Sequence, residues 1–164
     1  MLALIVALFL PIFSFAEEID LRSYETSLYS ENGEDGVLAR IFYLINPSTH
    51  FCVEIGCGDG KTNSSTCLLR SQGWSSILFD RAYDDPKSTI FKEFVTAENI
   101  NTLFTKYNIP LETTVLCFDT KYNDFYLWKA LNEKYKPAVV VMRYNASYPV
   151  NEDKIVKYHP YYCG

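Results

Sequence analysis

At 164 residues, 48% hydrophobic and 21% charged, the chain has the composition of a globular protein that encloses one core, not two. A net charge of −5 and a pI near 5.0, with no Lys/Arg run longer than a residue or two, remove the cationic surface that a nucleic-acid backbone requires. Nucleic acid is therefore not an expected partner.

The first sixteen residues, MLALIVALFLPIFSFA, carry no charge, run apolar to Leu10, bend at Pro11 and close on Ser14-Phe15-Ala16 ahead of Glu17 and Glu18. The pattern predicts an export leader over 1–16, cleaved after Ala16, because the apolar run falls short of the roughly 20 residues of a membrane span. An uncleaved N-terminal anchor and a buried N-terminal strand or helix are the alternatives. A leader makes the protein secreted or periplasmic, and an anchor ties it to a membrane. Residues 17–164 are then a single domain.

Next comes Ser30 to Gly36 (SENGEDG), a polar, turn-rich stretch, after which Val37, Leu38, Ile41, Phe42 and Ile45 recur at helical spacing up to Asn46-Pro47. Phe51 to Ile55 is a short apolar strand broken by Gly56, and Asn63 to Gln72 holds a helical stretch stopped by Gly73. Strand, glycine loop and helix make the first βα unit. Ser75 to Phe79 is a second strand and Glu93 to Ala97 a weaker third. Ile100, Leu103, Phe104 and Tyr107 form an i, i+3, i+4, i+7 stripe, with Asn99 as its N-cap. Thr114 to Phe118 is a fourth strand, Asn123 to Tyr135 a helix, and Ala138 to Tyr144 a fifth strand.

The strands are apolar throughout and do not alternate, as in a parallel sheet covered on both faces. Alternating β and α then predicts a three-layer, Rossmann-like α/β sandwich with a mainly parallel sheet of about five strands. The tyrosine-rich residues after Asn145 show no clear strand and read as an incompletely folded remnant, so the domain is expected to be incomplete at its C-terminal end. The fifth strand would leave an apolar sheet edge open, which predicts a homo-oligomer or a partner chain through that edge.

Five cysteines show neither CxxC nor His-Cys spacing, so no metal site is expected. Cys52 and Cys117 read as small buried hydrophobes, while Cys57 and Cys67, one in a loop and one on the following helix, are near enough in sequence to meet.

The chemistry concentrates in VEIGCGDG, Val53 to Gly60. Gly56, Gly58 and Gly60 follow a strand at alternate positions, where missing Cβ atoms let backbone N–H groups approach a ligand. A dinucleotide fingerprint would require its third glycine at Lys61, so NAD and FAD fit less well. Glu54 and Asp59 add carboxylates suited to a sulfonium and an amino group and hostile to pyrophosphate. Asp80, at the end of the second strand, is placed to accept both ribose hydroxyls of an adenosine. Glu98 closes the third strand where an adenine amino group would lie. Asp119 ends the fourth strand, and Asn123 and Asp124 open the next helix, beside the expected ligand.

VEIGCGDG, Asp80 and FDTKYNDFYLWKAL together resemble class I S-adenosylmethionine-dependent methyltransferases. SENGEDGVLARIF and VVVMRYNASYP resemble, more narrowly, the FkbM-type and related methyltransferase-like proteins. The resemblance spans about Tyr29 to Pro149. It implies that Glu54, Gly56, Gly58, Asp59 and Gly60 surround the amino-acid end of S-adenosylmethionine and that Asp80 holds its ribose. Asp119, Asn123 or Asp124 would orient a hydroxyl or amine of a small-molecule or glycan acceptor. The sequence departs from that pattern where Lys121 and Tyr122 replace an acid and a glycine, where an acid expected near Arg143 is missing, and where a final helix and antiparallel strand pair are absent. Because S-adenosylmethionine is made in the cytosol, the leader adds a second expectation, a non-catalytic Rossmann-like domain that retains the fold.

Overall fold

The computed structural model describes the backbone of residues 3–8 and residues 19–149 and 151–161. Ten principal elements follow one another: β1 (Ala3–Leu8), α1 (Glu34–Ile45), β2 (Phe51–Ile55), α2 (Cys67–Ser71), β3 (Ser75–Asp80), β4 (Ile90–Lys92), α3 (Ile100–Lys106), β5 (Val115–Phe118), α4 (Asp124–Ala130) and β6 (Val139–Tyr144). The strands form one sheet in the order β1-β6-β5-β2-β3-β4. From β4 to β6 every pairing is parallel.

Strand pleating explains the layers, because successive side chains leave a strand on opposite faces. Val53, Ile55, Leu116, Phe118 and Val140 point into one core with Ile100, Leu103 and Phe104 of α3 and Leu127 of α4. Cys52, Val115, Cys117, Val139 and Val141 point into the other, against Val37, Leu38 and Ile41 of α1 and Leu69 of α2. Both faces are covered, so the strands need apolar residues at every position. The fold is the expected three-layer α/β sandwich, Rossmann-like, around five parallel strands.

Three boundaries differ from the sequence reading. The third strand lies at Ile90–Lys92 and not at Glu93 to Ala97. Thr89 carries a left-handed backbone and its carbonyl accepts from Leu78, which brings Ile90 alongside β3. α4 stops at Ala130, because Leu131 takes an extended backbone and Asn132 N donates at 2.7 Å to the side chain of Asn101. Asn99 does not cap α3 with its side chain. Instead it accepts from Thr96 N at 2.7 Å and donates to Phe94 O at 2.9 Å, which folds the 94–96 loop onto itself.

At the other edge, Ala3–Leu8 runs antiparallel to β6, with Ala3 opposite Tyr144 and Leu8 opposite Val139. The fifth parallel strand is thus paired within the chain, by part of the segment that the sequence marks as a leader. The expected cleavage position at Ala16 lies outside the described residues. Among the described residues no helix is long and apolar enough to cross a membrane.

The C-terminal segment packs against the domain. Tyr158 OH donates to Glu98 at 2.7 Å, Tyr126 OH donates to Val156 O at 2.8 Å, and the rings of Tyr126 and Tyr158 lie 5.0 Å apart. The tail is therefore anchored to α4 and the 97–98 loop. Cys52, Cys57, Cys67 and Cys117 are all free and buried, so Cys57 and Cys67 do not pair. Burial pushes the Cys52 thiol up to about 12 and the Cys57 thiol higher still, which leaves both inert at neutral pH.

Candidate functional site

The five parallel strands run third, second, first, fourth, fifth across the sheet. Their order reverses between β2 and β5, and open α/β sheets bind ligands beyond the carboxyl ends of strands at such a reversal. Gly56 leaves β2 and Asp119 leaves β5 at that place. Gly56 takes a φ of +86°, and a Cβ built on it would stand 2.3 Å from the Asp119 carbonyl oxygen. Its N–H donates to Phe79 O at 2.8 Å. A glycine is required here because two backbones pass where a methyl group would have to fit. Gly58, with φ +57°, has nothing within 4 Å of a would-be Cβ, so its missing side chain leaves open space in front of the loop.

That space is a cleft of about 270 Å³. Ile55, Gly56, Gly58 and Phe79 line it, Phe94 and Val95 supply apolar surface, and the Asp119–Lys121 turn and the Asp80 to Tyr83 stretch add polar and charged groups. Apolar walls with a few placed polar groups are the usual composition of a small-molecule site.

Asp80 is built into the loop. Its Oδ2 accepts from Gly58 N at 2.9 Å, and Oδ1 accepts from Ala82 N at 2.7 Å and Tyr83 N at 3.1 Å. A carboxylate offers about four lone-pair positions, so these three amides leave one, on Oδ2. Asp80 thus keeps one acceptor position beyond the loop's own bonds.

Glu54, Asp59 and Gly60 do not line the cleft. Glu54 shares the face of Cys52 by strand alternation and is buried, accepting from Ser64 Oγ at 2.8 Å, Thr66 Oγ1 at 2.5 Å and Ser65 N at 3.3 Å. Burial raises its pKa and those donors pull it back. Arg70 completes the network by donating to Gly60 O and to Thr66 Oγ1. The result ties the end of the glycine loop to α2. Asp59 accepts from Lys61 N and Thr62 N, both at 2.8 Å, and from Thr62 Oγ1. These backbone bonds hold its carboxyl below the usual range, as in any tight turn closed by an aspartate.

On the β5 side, Asp119 meets Arg143, at 2.5 Å to Nε and 3.0 Å to Nη2. Burial pushes the Asp119 carboxyl up to about 7, against the pull of Arg143. Arg143 also bonds Glu31 at 2.5 Å. Glu31 is delivered by the SENGEDG stretch, whose Leu28, Tyr29 and Ser30 amides all donate to Asp35 Oδ2 at 2.7 to 2.9 Å. Asp124 is buried and accepts from Thr120 N at 2.8 Å and from the Thr120 hydroxyl. Burial raises its pKa while Thr120 lowers it. Asn123 donates to His159 O at 2.9 Å and accepts from His159 N at 3.4 Å. Glu98, expected near an adenine, receives the Tyr158 hydroxyl. The structure therefore gathers Gly56, Gly58, Asp80, Asp119 and Asn123 around one cleft. Asp124 stands behind it as a turn support.

No protein-family model and no curated protein matches this chain. Among the described residues no group of three or more His, Cys, Asp and Glu is arranged to hold a metal ion.

Sequence reasoning did not foresee the Arg143–Asp119 pair, the Thr120 contact to Asp124 or the anchoring of the tail by Tyr158. Arg143 and Asp119 are 24 positions apart, and Arg143 and Glu31 112 apart. The only signal was that both Asp119 and Arg143 close neighbouring strands on the ligand side.

Proposed function

We propose that the cleft beyond β2, β3 and β5 binds an adenosine-type ligand, S-adenosylmethionine, and that the protein is a methyltransferase-like domain acting on a small-molecule or glycan acceptor. One observation carries the reading. Gly58 opens the loop toward the cleft while its N–H is held by Asp80, the carboxylate at the neighbouring strand end that retains a free acceptor position. The residues present fit the cofactor at its ribose and its adenine. Asp80 Oδ2 would accept a ribose hydroxyl, and Phe94, with Val95 beside it, would provide an apolar seat for a purine. At the amino-acid end Glu54 and Asp59 are engaged elsewhere and the Gly56, Cys57 and Gly58 amides are taken by Phe79 O and Asp80, so the loop contributes room there and no free N–H group. S-adenosylmethionine supplies an electrophilic methyl group, so the protein's contribution would be positioning and exclusion of water. Asp119, with a carboxyl near 7, suits a proton acceptor at neutral pH.

A second reading is favoured by the acceptor side. Asp119, Asn123 and Asp124 each have partners within the chain, in Arg143, His159 and Thr120. A domain that binds the adenosine compound without transferring its methyl group would look like this. Calorimetric titration with S-adenosylmethionine and S-adenosylhomocysteine tests the shared premise. Heat that is lost on Asp80→Ala, with the fold retained by circular dichroism, supports the pocket. No heat at millimolar ligand overturns both readings.

A further inference from the structure

The ionisable groups along the cleft do not have equal claims on a ligand. Asp80 receives three backbone amides. Glu93 takes the Lys106 ammonium at 2.6 Å and the Tyr107 hydroxyl at 2.7 Å, and both donors hold its pKa low. Asp119 is matched by Arg143. Each carboxylate lining the cleft is thus largely satisfied by the protein. Arg81, on the same wall, also has a partner within the protein.

Lys121 differs. It lines the cleft and is exposed, and among the described residues its ammonium makes no ion pair, hydrogen bond or ring contact. Its placement is also enforced. The backbone at Lys121 is left-handed, φ +68°, a conformation that costs a residue with a Cβ roughly 1–2 kcal/mol. Two contacts impose it: Thr120 N is tied to Asp124 at 2.8 Å, and the chain just before it is pressed against Gly56, whose missing side chain permits the approach. A turn secured at both ends therefore presents an uncompensated cation beside the glycine loop. Charge complementarity favours an anion there, and the carboxylates expected to repel one, Glu54 and Asp59, lie outside the cleft.

We propose that Lys121 is the anion anchor of this cleft, and that the ligand is an adenosine compound bearing an oxyanion, either an amino-acid carboxylate or a phosphate. The inference rests on the adenosine-pocket reading and deepens it. An exposed lysine bonded to a ligand oxyanion makes a charge-assisted hydrogen bond, worth about tenfold in affinity.

The test compares adenosine, S-adenosylhomocysteine and adenosine monophosphate by calorimetry, against the wild-type protein, Lys121→Gln and Lys121→Arg. Because Lys121 is exposed and unpaired, both variants should melt with the wild type. In the wild type at least one of the two oxyanion-bearing compounds should bind about tenfold tighter than adenosine, and which one does so separates carboxylate from phosphate. Lys121→Gln should erase that advantage without changing the affinity for adenosine, and Lys121→Arg should retain most of it. Equal affinity for adenosine and both oxyanion-bearing compounds in the wild type overturns the anchor while leaving the pocket standing. So does an advantage that survives in Lys121→Gln. Absence of binding by all three compounds to the wild type overturns the pocket reading and the anchor with it.

Discussion

Replacing Gly56 and Gly58 separately by alanine should give two different phenotypes from two glycines that look equivalent in the sequence. Both have left-handed backbones, φ +86° and +57°, so each alanine incurs a conformational cost of about 1 kcal/mol. Gly58→Ala adds little to this, since nothing lies within 4 Å of the new methyl group. Gly56→Ala adds a collision with backbone, 2.3 Å from the Asp119 carbonyl oxygen and 2.7 Å from its carbon. Carbon–oxygen contacts normally lie at about 3.3 Å or more, so the β5 turn would have to retreat by roughly 1 Å. Overpacking of that kind costs about 1–3 kcal/mol beyond the conformational term. Gly56→Ala should therefore lower stability by about 2–4 kcal/mol and Gly58→Ala by about 1 kcal/mol. At about 3 °C per kcal/mol for a domain of this size, thermal unfolding followed by circular dichroism resolves the two. Gly58→Ala should also weaken binding of an adenosine compound, because its methyl enters the cleft, whereas its fold persists. Equal destabilisation by the two substitutions, or a larger effect at Gly58, would refute the view that the loop is pinned at Gly56 and open at Gly58.

Asp119 gives a pH prediction. Its folded carboxyl, near 7, holds a proton more tightly than the unfolded one near about 3.9. The stability this provides is complete below the unfolded pKa and is lost as the pH rises through the folded one. Asp119→Asn lacks this dependence, so its stability relative to wild type should rise by about 2–4 kcal/mol between about pH 4 and 7, measured by urea denaturation; parallel curves over that interval would count against it. Glu54 predicts a contrast of size and shape. Glu54→Ala strands the Ser64 and Thr66 hydroxyls in a buried cavity and should cost about 2–4 kcal/mol, while Glu54→Gln, which keeps the volume and the acceptor shared by those hydroxyls and loses only the long bond from Ser65 N, should cost less in the same denaturation assay.

How much of this was legible beforehand follows from the range over which each feature is encoded. Strand, glycine loop and helix are local patterns, and apolar runs at Phe51–Ile55, Val115–Phe118 and Val139–Tyr144 carry in themselves the requirement for two covered faces. The layers, the parallel order and the position of Gly56, Gly58 and Asp80 could thus be read from residues within one βα unit of each other. Glu54 was also readable in principle. One pleat before Ile55, it must face the helices opposite to those Ile55 meets, and so away from the ligand. β4 was misplaced because Thr89 turns the chain by a left-handed residue that no periodicity announces.

The sequence alone determined a glycine loop after the first strand of a parallel sheet, with a carboxylate at the end of the next strand; the strand order that puts the loop at a reversal came from the tertiary structure. Tertiary structure decided which charges remain for a ligand. Asp119 finds Arg143 across 24 residues and Arg143 finds Glu31 across 112, Asn123 is taken by a backbone 36 residues away, and Lys121 is left without a partner among the described residues. Pairings at such separations depend on which strand ends and loops the completed sheet brings together, and no local pattern in the chain encodes them.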